Sequence, residues 1–176
     1  MRRKAARPVG KELARGALVF VACFALVFGF VRPVVAAPSV VEGPSMQPTL
    51  ETGDRVLVEK LGYRFGDPER GDVALLRGED GNLLIKRVAA LPGETVAARD
   101  GEIYVDGEPL RESYAHRAAP ATLTAEPTAV PPDHVYVLGD NRSNSTDSRN
   151  FGPVPQERLI GEAVAILWPL DHLSEL

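Results

Sequence analysis

Two residues carry the types and settings that nucleophilic chemistry needs. Ser45 lies in VEGPSMQPTL, residues 41–50, with prolines at 44 and 48. Prolines fix φ and deny a helix to the residues between them, so Ser45 sits on a stiff, non-helical bend after an apolar approach. A nucleophile requires that rigid display. A turn serine that hydrogen-bonds its own backbone has the same local pattern, so the pattern alone does not separate the two. Lys86 lies in LLIKRVAAL, and in a strand its same-face neighbours are Leu84 and Val88. An amine on an apolar face is costly to bury. Burial that lowered its pKa from about 10.4 to about 7, at a cost of about 4 kcal/mol, would leave it neutral and able to take a hydroxyl proton. A lysine snorkelling from a strand edge fits the same residues.

Histidine offers no better base. His116 falls in a loop, His134 opens a strand and His172 is close to the end of the sequence, and none sits in a cluster of recognisable spacing. No His, Cys or Asp pair has metal-ligand spacing, so neither a metal nor another cofactor is expected. The single cysteine, Cys23, excludes an intramolecular disulfide and lies in an apolar run, where it reads as a small hydrophobe.

The elements that must position Ser45 and Lys86 are short strands. From Pro38 onward, apolar runs alternate with Gly, Pro and Asp. The pattern predicts strands at Arg55–Val58, Asp72–Leu76, Asn82–Ala90, Thr95–Arg99, Glu102–Val105, His134–Leu138 and Ala163–Leu167. Asp100-Gly101 is the strongest hairpin signal. Residues 110–133, rich in Ala, Pro and Thr, have neither period and read as an extended loop. The expectation is an all-β domain over residues 37–176, with no internal repeat.

Residues 1–15 differ from this body. Arg2, Arg3, Lys4, Arg7, Lys11 and Arg15 face one acid, Glu12, and the segment reads as a cytoplasmic flank. Gly16–Val31 has no charge, and as a helix it is about 24 Å long against a hydrocarbon core of about 30 Å. Leu13 and Ala14 extend it, Arg15 reaches the head groups, and Arg32-Pro33 marks the far side. Residues 16–36 are therefore expected to form one transmembrane helix, amino terminus inside and body outside, in contact with membrane lipid. A cleaved signal peptide ending at VVAA, 34–37, is the rival, but Pro38 fits poorly just after such a cut. Beyond Arg32 acidic residues outnumber basic ones, so the body has no electrostatic footprint for nucleic acid.

Four blocks, GPSMQPTL (43–50), GDRVLVEK (53–60), IKRVAALPGE (85–94) and GDNRSNSTDSRNFG (139–152), together resemble the bacterial type I signal peptidases in the family's order. The resemblance covers about Gly16 to Pro169 and points to the single-span form. It implies a mostly antiparallel, coiled β fold and a membrane-anchored Ser–Lys endopeptidase of the bacterial cell membrane. Such an enzyme removes signal peptides from exported preproteins by cutting after Ala-X-Ala.

By that resemblance Ser45 is the nucleophile, with its backbone N–H in the oxyanion hole, and Lys86 is the general base. Ser145 orients the lysine amine, and Asp147 and Arg149 form a supporting ion pair. Val41, Met46, Leu50, Val56, Leu84 and Ile85 wall the substrate pocket. The role of Arg87 stays open. Some family members carry Ser or Thr two residues before the nucleophile as a second oxyanion donor. This chain has Gly43, where a serine is expected to be tolerated if φ is negative. Two rivals remain. A self-cleaving repressor-type peptidase would need a DNA-binding domain where this chain has its apolar run. A silent, membrane-tethered binding module would not need both Ser45 and Lys86.

Overall fold

The computed structural model describes residues 9–26, 29, 36–115 and 125–176, and it divides into two compact units, residues 1–36 and 37–176. The first contains helix α1, Val9–Leu26. It begins inside the segment expected to be a flank, because Lys11, Glu12, Leu13 and Ala14 are good helix formers. From Ala14 to Leu26 its side chains are exposed, with Leu18 and Phe20 each at 70 %. Phe20 and Phe24, one turn apart, stack with ring centroids 6.4 Å from each other. No helix among the described residues is long and apolar enough to cross a membrane. Most of the expected anchor beyond Leu26 lies outside the described residues.

The second unit is mostly β. Its strands are β1 (Ala36–Val40), β2 (Arg55–Glu59), β3 (Val73–Arg77), β4 (Leu83–Ala90), β5 (Thr95–Arg99), β6 (Glu102–Val105), β7 (Glu108–Pro109), β8 (Ala125–Ala129), β9 (His134–Leu138), β10 (Val154–Pro155), β11 (Leu159–Trp168) and β12 (Ser174–Glu175). One-turn helices α2 (Gly62–Phe65) and α3 (Ser148–Phe151) fill two connections. The larger sheet runs β1-β2-β11-β3-β4-β9-β10, with β12 on β11, and the smaller runs β7-β6-β5-β8. Every pairing whose register is defined is antiparallel.

Turn chemistry closes the smaller sheet. Asp100 and Gly101 have φ of 50° and 86°, the left-handed pair that a tight hairpin between twisted strands needs. Asp106 and Gly107 repeat the geometry between β6 and β7.

Apolar alternation fills three clusters. Val41, Met46, Leu50, Val56, Val58, Val73, Leu75, Ala163 and Ile166 form one. Ala74, Leu76, Val88, Val135, Val137 and Val154 form another, and a third packs the β5–β6 hairpin against Ala89, Ala90, Tyr136 and Leu138. With both faces of the larger sheet covered, β3 is buried along four successive residues.

The expected loop 110–133 needs correction, because Ala125–Ala129 within it is strand β8 on β5, with Thr95 opposite Ala129. Residues 116–124, including His116, lie outside the described residues. The strand expected at Ala163–Leu167 extends to Leu159–Trp168, with register shifts at Ala163/Ala165 and Ile166/Trp168.

Candidate active site

Ser45 lies on the turn that joins β1 to β2. Backbone bonds Val41 N–H to Asp54 O (2.8 Å) and Gly53 N–H to Val41 O (2.9 Å) close the base of this loop. Met46 and Leu50, 1 % and 0 % exposed, pin its inner side to the core. From the far end of the sheet Asn141 grips its outer side. Its backbone N–H donates to Ser45 O at 3.0 Å, and its Nδ2 donates to Pro44 O at 3.3 Å. The serine is thus fixed from both sides, which is what presentation of a hydroxyl requires.

Lys86 reaches Ser45 from β4, where it stands opposite Ala74 on β3. Its Nζ lies 2.7 Å from Ser45 Oγ, hydrogen-bond distance for proton transfer in either direction. Lys86 is 4 % exposed. Burial pushes its amine below the ordinary range. The Asp147 and Asp140 carboxylates oppose the shift, and the Arg149 guanidinium assists it.

The segment after β9 supplies the charged frame. Asp147, fully buried, accepts Arg149 Nε on one oxygen and Nη2 on the other, each at 2.7 Å, and Gly139 N–H at 2.9 Å. The same carboxylate caps α3. Burial alone would raise its pKa, but the Arg149 and Gly139 hydrogen bonds outweigh that and hold it below the usual carboxylate range. The Ser145 hydroxyl is buried, makes no hydrogen bond to Lys86 among the described residues, and lies on the Asp147 side, where it helps lower that carboxylate's pKa.

Arg87, next to Lys86, is bonded through Nε and Nη2 to the two oxygens of Asp140, at 2.9 and 2.8 Å. Its Nη1 donates to Gly71 O at 2.7 Å, and the Tyr114 ring lies 3.9 Å from its central carbon. Thr49 Oγ1 donates to the same Asp140, which ties the Ser45 loop to this pair. Arg142 donates to both oxygens of Glu112 and, through Nε, to Gly139 O. Sequence reasoning left Arg87 open and missed Asp140, Thr49, Glu112, Tyr114 and Arg142. Arg87 and Asp140 are 53 residues apart, so no local spacing marks the pair.

A cavity of about 550 Å³ opens beside the serine, lined by Ser39, Val40, Val41, Glu42, Ser45, Met46, Leu75 and Asn82–Lys86. Four of the six expected pocket residues, Val41, Met46, Leu84 and Ile85, line it. Leu50 and Val56 do not. Both are 0 % exposed and pack behind the wall in the cluster that holds Val41 and Met46.

Gly43 has φ of +80°, so the condition for tolerating a serine there is not met. His134 Nδ1 faces Pro132 O at 2.8 Å, and His172 Nδ1 faces Asp54 Oδ1 at 3.3 Å; neither is joined to the serine. Among the described residues no group of three or more His, Cys, Asp or Glu could hold a metal ion.

A β domain that sets a fixed serine hydroxyl against a buried amine has the groups of a serine hydrolase whose base is lysine. The comparisons with known proteins reach the same class. The profile described as Signal peptidase, peptidase S26, matches residues 13–168. A signal peptidase I of Leptolyngbya laminosa is 42 % identical over 155 residues, 83 % of this chain and 75 % of that protein. A probable signal peptidase I of Synechocystis is 40 % identical over 153 residues, 83 % of this chain and 69 % of that protein. Signal peptidase I T of Bacillus subtilis is 34 % identical over 155 residues, 82 % of this chain and 80 % of that protein. The chain belongs to the signal peptidase family, peptidase S26, and is a serine endopeptidase.

Proposed function

We propose that this enzyme removes N-terminal signal peptides from exported preproteins, with Ser45 as nucleophile and Lys86 as general base. The observation that carries the assignment is the 2.7 Å approach of Lys86 Nζ to Ser45 Oγ inside a buried setting that lowers the amine's pKa. Neutral Lys86 takes the Ser45 proton as Oγ attacks the scissile carbonyl, and returns it to the leaving amine. In the second half it takes a proton from water, which then releases the acyl group from Ser45. The Ser45 backbone N–H faces the developing oxyanion. Asp147 and Arg149 position the segment that carries Gly139 and Ser145. Ser145, buried on the same segment, is the residue we assign to orient the lysine amine.

The cavity lies between two strands with open edges. β9 pairs with β4 only from Arg87 to Ala90, which leaves Leu83–Ile85 open on that edge, and β1 ends the sheet. An extended substrate lying there directs alternate side chains inward, so the first and third residues before the cut meet the same apolar wall. Val41, Met46, Leu84 and Ile85 accept small side chains and exclude large ones by volume. Cleavage after Ala-X-Ala follows.

The expected division of the chain completes the reading: flank 1–15, membrane anchor 16–36, catalytic body 37–176 outside the cytoplasmic membrane. The exposed apolar side chains of α1 support an anchor in contact with lipid. Incubation of the purified full chain with a preprotein, with the cut site read by mass spectrometry, tests the activity. A single cut after a small residue is expected, and an intact preprotein would overturn the reading. External protease on spheroplasts tests the topology. It should degrade the body and spare the flank.

A further inference from the structure

We propose that Glu42 is a specificity-determining residue, favouring a lysine or arginine at the second position before the scissile bond. The inference rests on the assignment of Ser45 as nucleophile and on an extended substrate in the cavity beside it.

Glu42 lines the catalytic cavity, three residues from Ser45, yet nothing in the catalytic arrangement uses it. Its side chain is exposed, and it has no hydrogen bond or ion pair among the described residues. The other charged groups around the site are committed: Arg87 to Asp140, Arg142 to Glu112, Arg149 to Asp147. Glu42 is therefore a carboxylate at the rim of the substrate cavity without an internal partner.

Alternation decides which substrate residue it meets. Val41, 2 % exposed, points into the cluster that holds Met46, and the next residue along, Glu42, is exposed to solvent. A substrate strand beside this wall has the same alternation, with its first and third side chains directed inward at Val41 and Met46. Its second side chain points outward, to the side on which Glu42 stands. An inward lysine is excluded because burying it unpaired is expensive. An outward lysine stays in water and gains the carboxylate. Asn82, also on the cavity lining, is an amide that donates to Asp80 and adds no positive charge to compete for Glu42.

An exposed pair of this kind has a modest effect, about twofold to threefold for attraction and a similar factor for repulsion. The test uses three preproteins identical except for Lys, Ala or Glu between the two small residues, cut by the full chain in detergent. In the wild type kcat/KM is expected to fall from Lys through Ala to Glu, about fivefold across the series. In 0.5 M salt, where exposed charges are screened beyond a few ångströms, the series should flatten. Glu42→Gln should cut all three within about twofold of one another, and Glu42→Lys should reverse the order. A flat series in the wild type, or a Lys preference that survives in Glu42→Gln, overturns the role of Glu42. Failure to cut the Ala preprotein at all instead overturns the peptidase assignment on which it rests.

Discussion

Gly139 and Ser45 approach each other so closely that no side chain fits between them. A Cβ at Gly139 would stand 2.5 Å from the Ser45 carbonyl oxygen and would collide with the Ser145 side chain. The Ser45 atom is backbone, so it cannot swing away as a flexible side chain would. Gly139→Ala is expected to displace the Ser45 loop, with loss of activity by about a hundredfold or more and a lowered Tm. Retention of both rate and Tm would show that the loop relaxes without moving Ser45 Oγ from Lys86.

Ser45→Ala and Lys86→Ala should each reduce cleavage about a thousandfold or more. Lys86→Arg should fail equally, since arginine does not deprotonate. Replacing His116, His134 and His172 together should leave most of the activity. A folded triple variant without activity would assign the base to histidine.

The lowered pKa of Lys86 has two pH consequences of opposite value. With Lys86 proposed as the base, activity needs the neutral amine, so the acidic limb of kcat/KM should titrate below the ordinary lysine value of 10.5. Between the lowered pKa and 10.5 the unfolded chain binds more protons than the folded one, so this group makes stability rise with pH across that window. Lys86→Met, similar in volume and uncharged, should abolish cleavage yet raise Tm near pH 7. The gain should shrink near pH 11, where both states of the wild type are neutral. A Tm that falls at pH 7 would show that the amine's hydrogen bond outweighs its desolvation.

Arg142 and Glu112 have side chains 3 % and 9 % exposed. Glu112→Ala leaves the guanidinium buried without its carboxylate, and a loss of about 3–5 kcal/mol is expected in denaturant unfolding. Arg142→Met with Glu112→Leu removes both charges and should recover much of that loss. Equal instability of the single and double variants would locate the effect in packing.

At position 43 the backbone decides. With φ of +80°, Gly43→Ser strains the loop, and a fall in activity is expected where a second oxyanion donor would have given a gain. A faster Gly43→Ser enzyme would mean that the loop flips to negative φ.

What the sequence discloses follows physical range. β2 and β6 are legible because they alternate, and β5 and β9 because their short apolar runs are bounded by Gly, Asp or Pro. β1 (AAPSV) and β8 (AEPTA) are not, since small residues and a proline hide the period. Both end a sheet, the position where a missing N–H is tolerated. Ser45 and Lys86 stand out through their setting, a proline-bounded turn and an apolar strand. The frame around them does not, because Arg87–Asp140 and Glu112–Arg142 are pairings between distant segments. Leu50 and Val56 share the composition of the cavity wall, and only the packing shows that they lie behind it.

The position of β11 makes it the strand that joins the two halves of the site. Ser45 hangs from β2, Lys86 stands on β4 beside β3, and β11 is inserted between β2 and β3. It is the last long strand to emerge from the ribosome. Until β11 is in place, the strands that carry Ser45 and Lys86 have no sheet to join them, so the separation of the two side chains is fixed only by the residues up to 168.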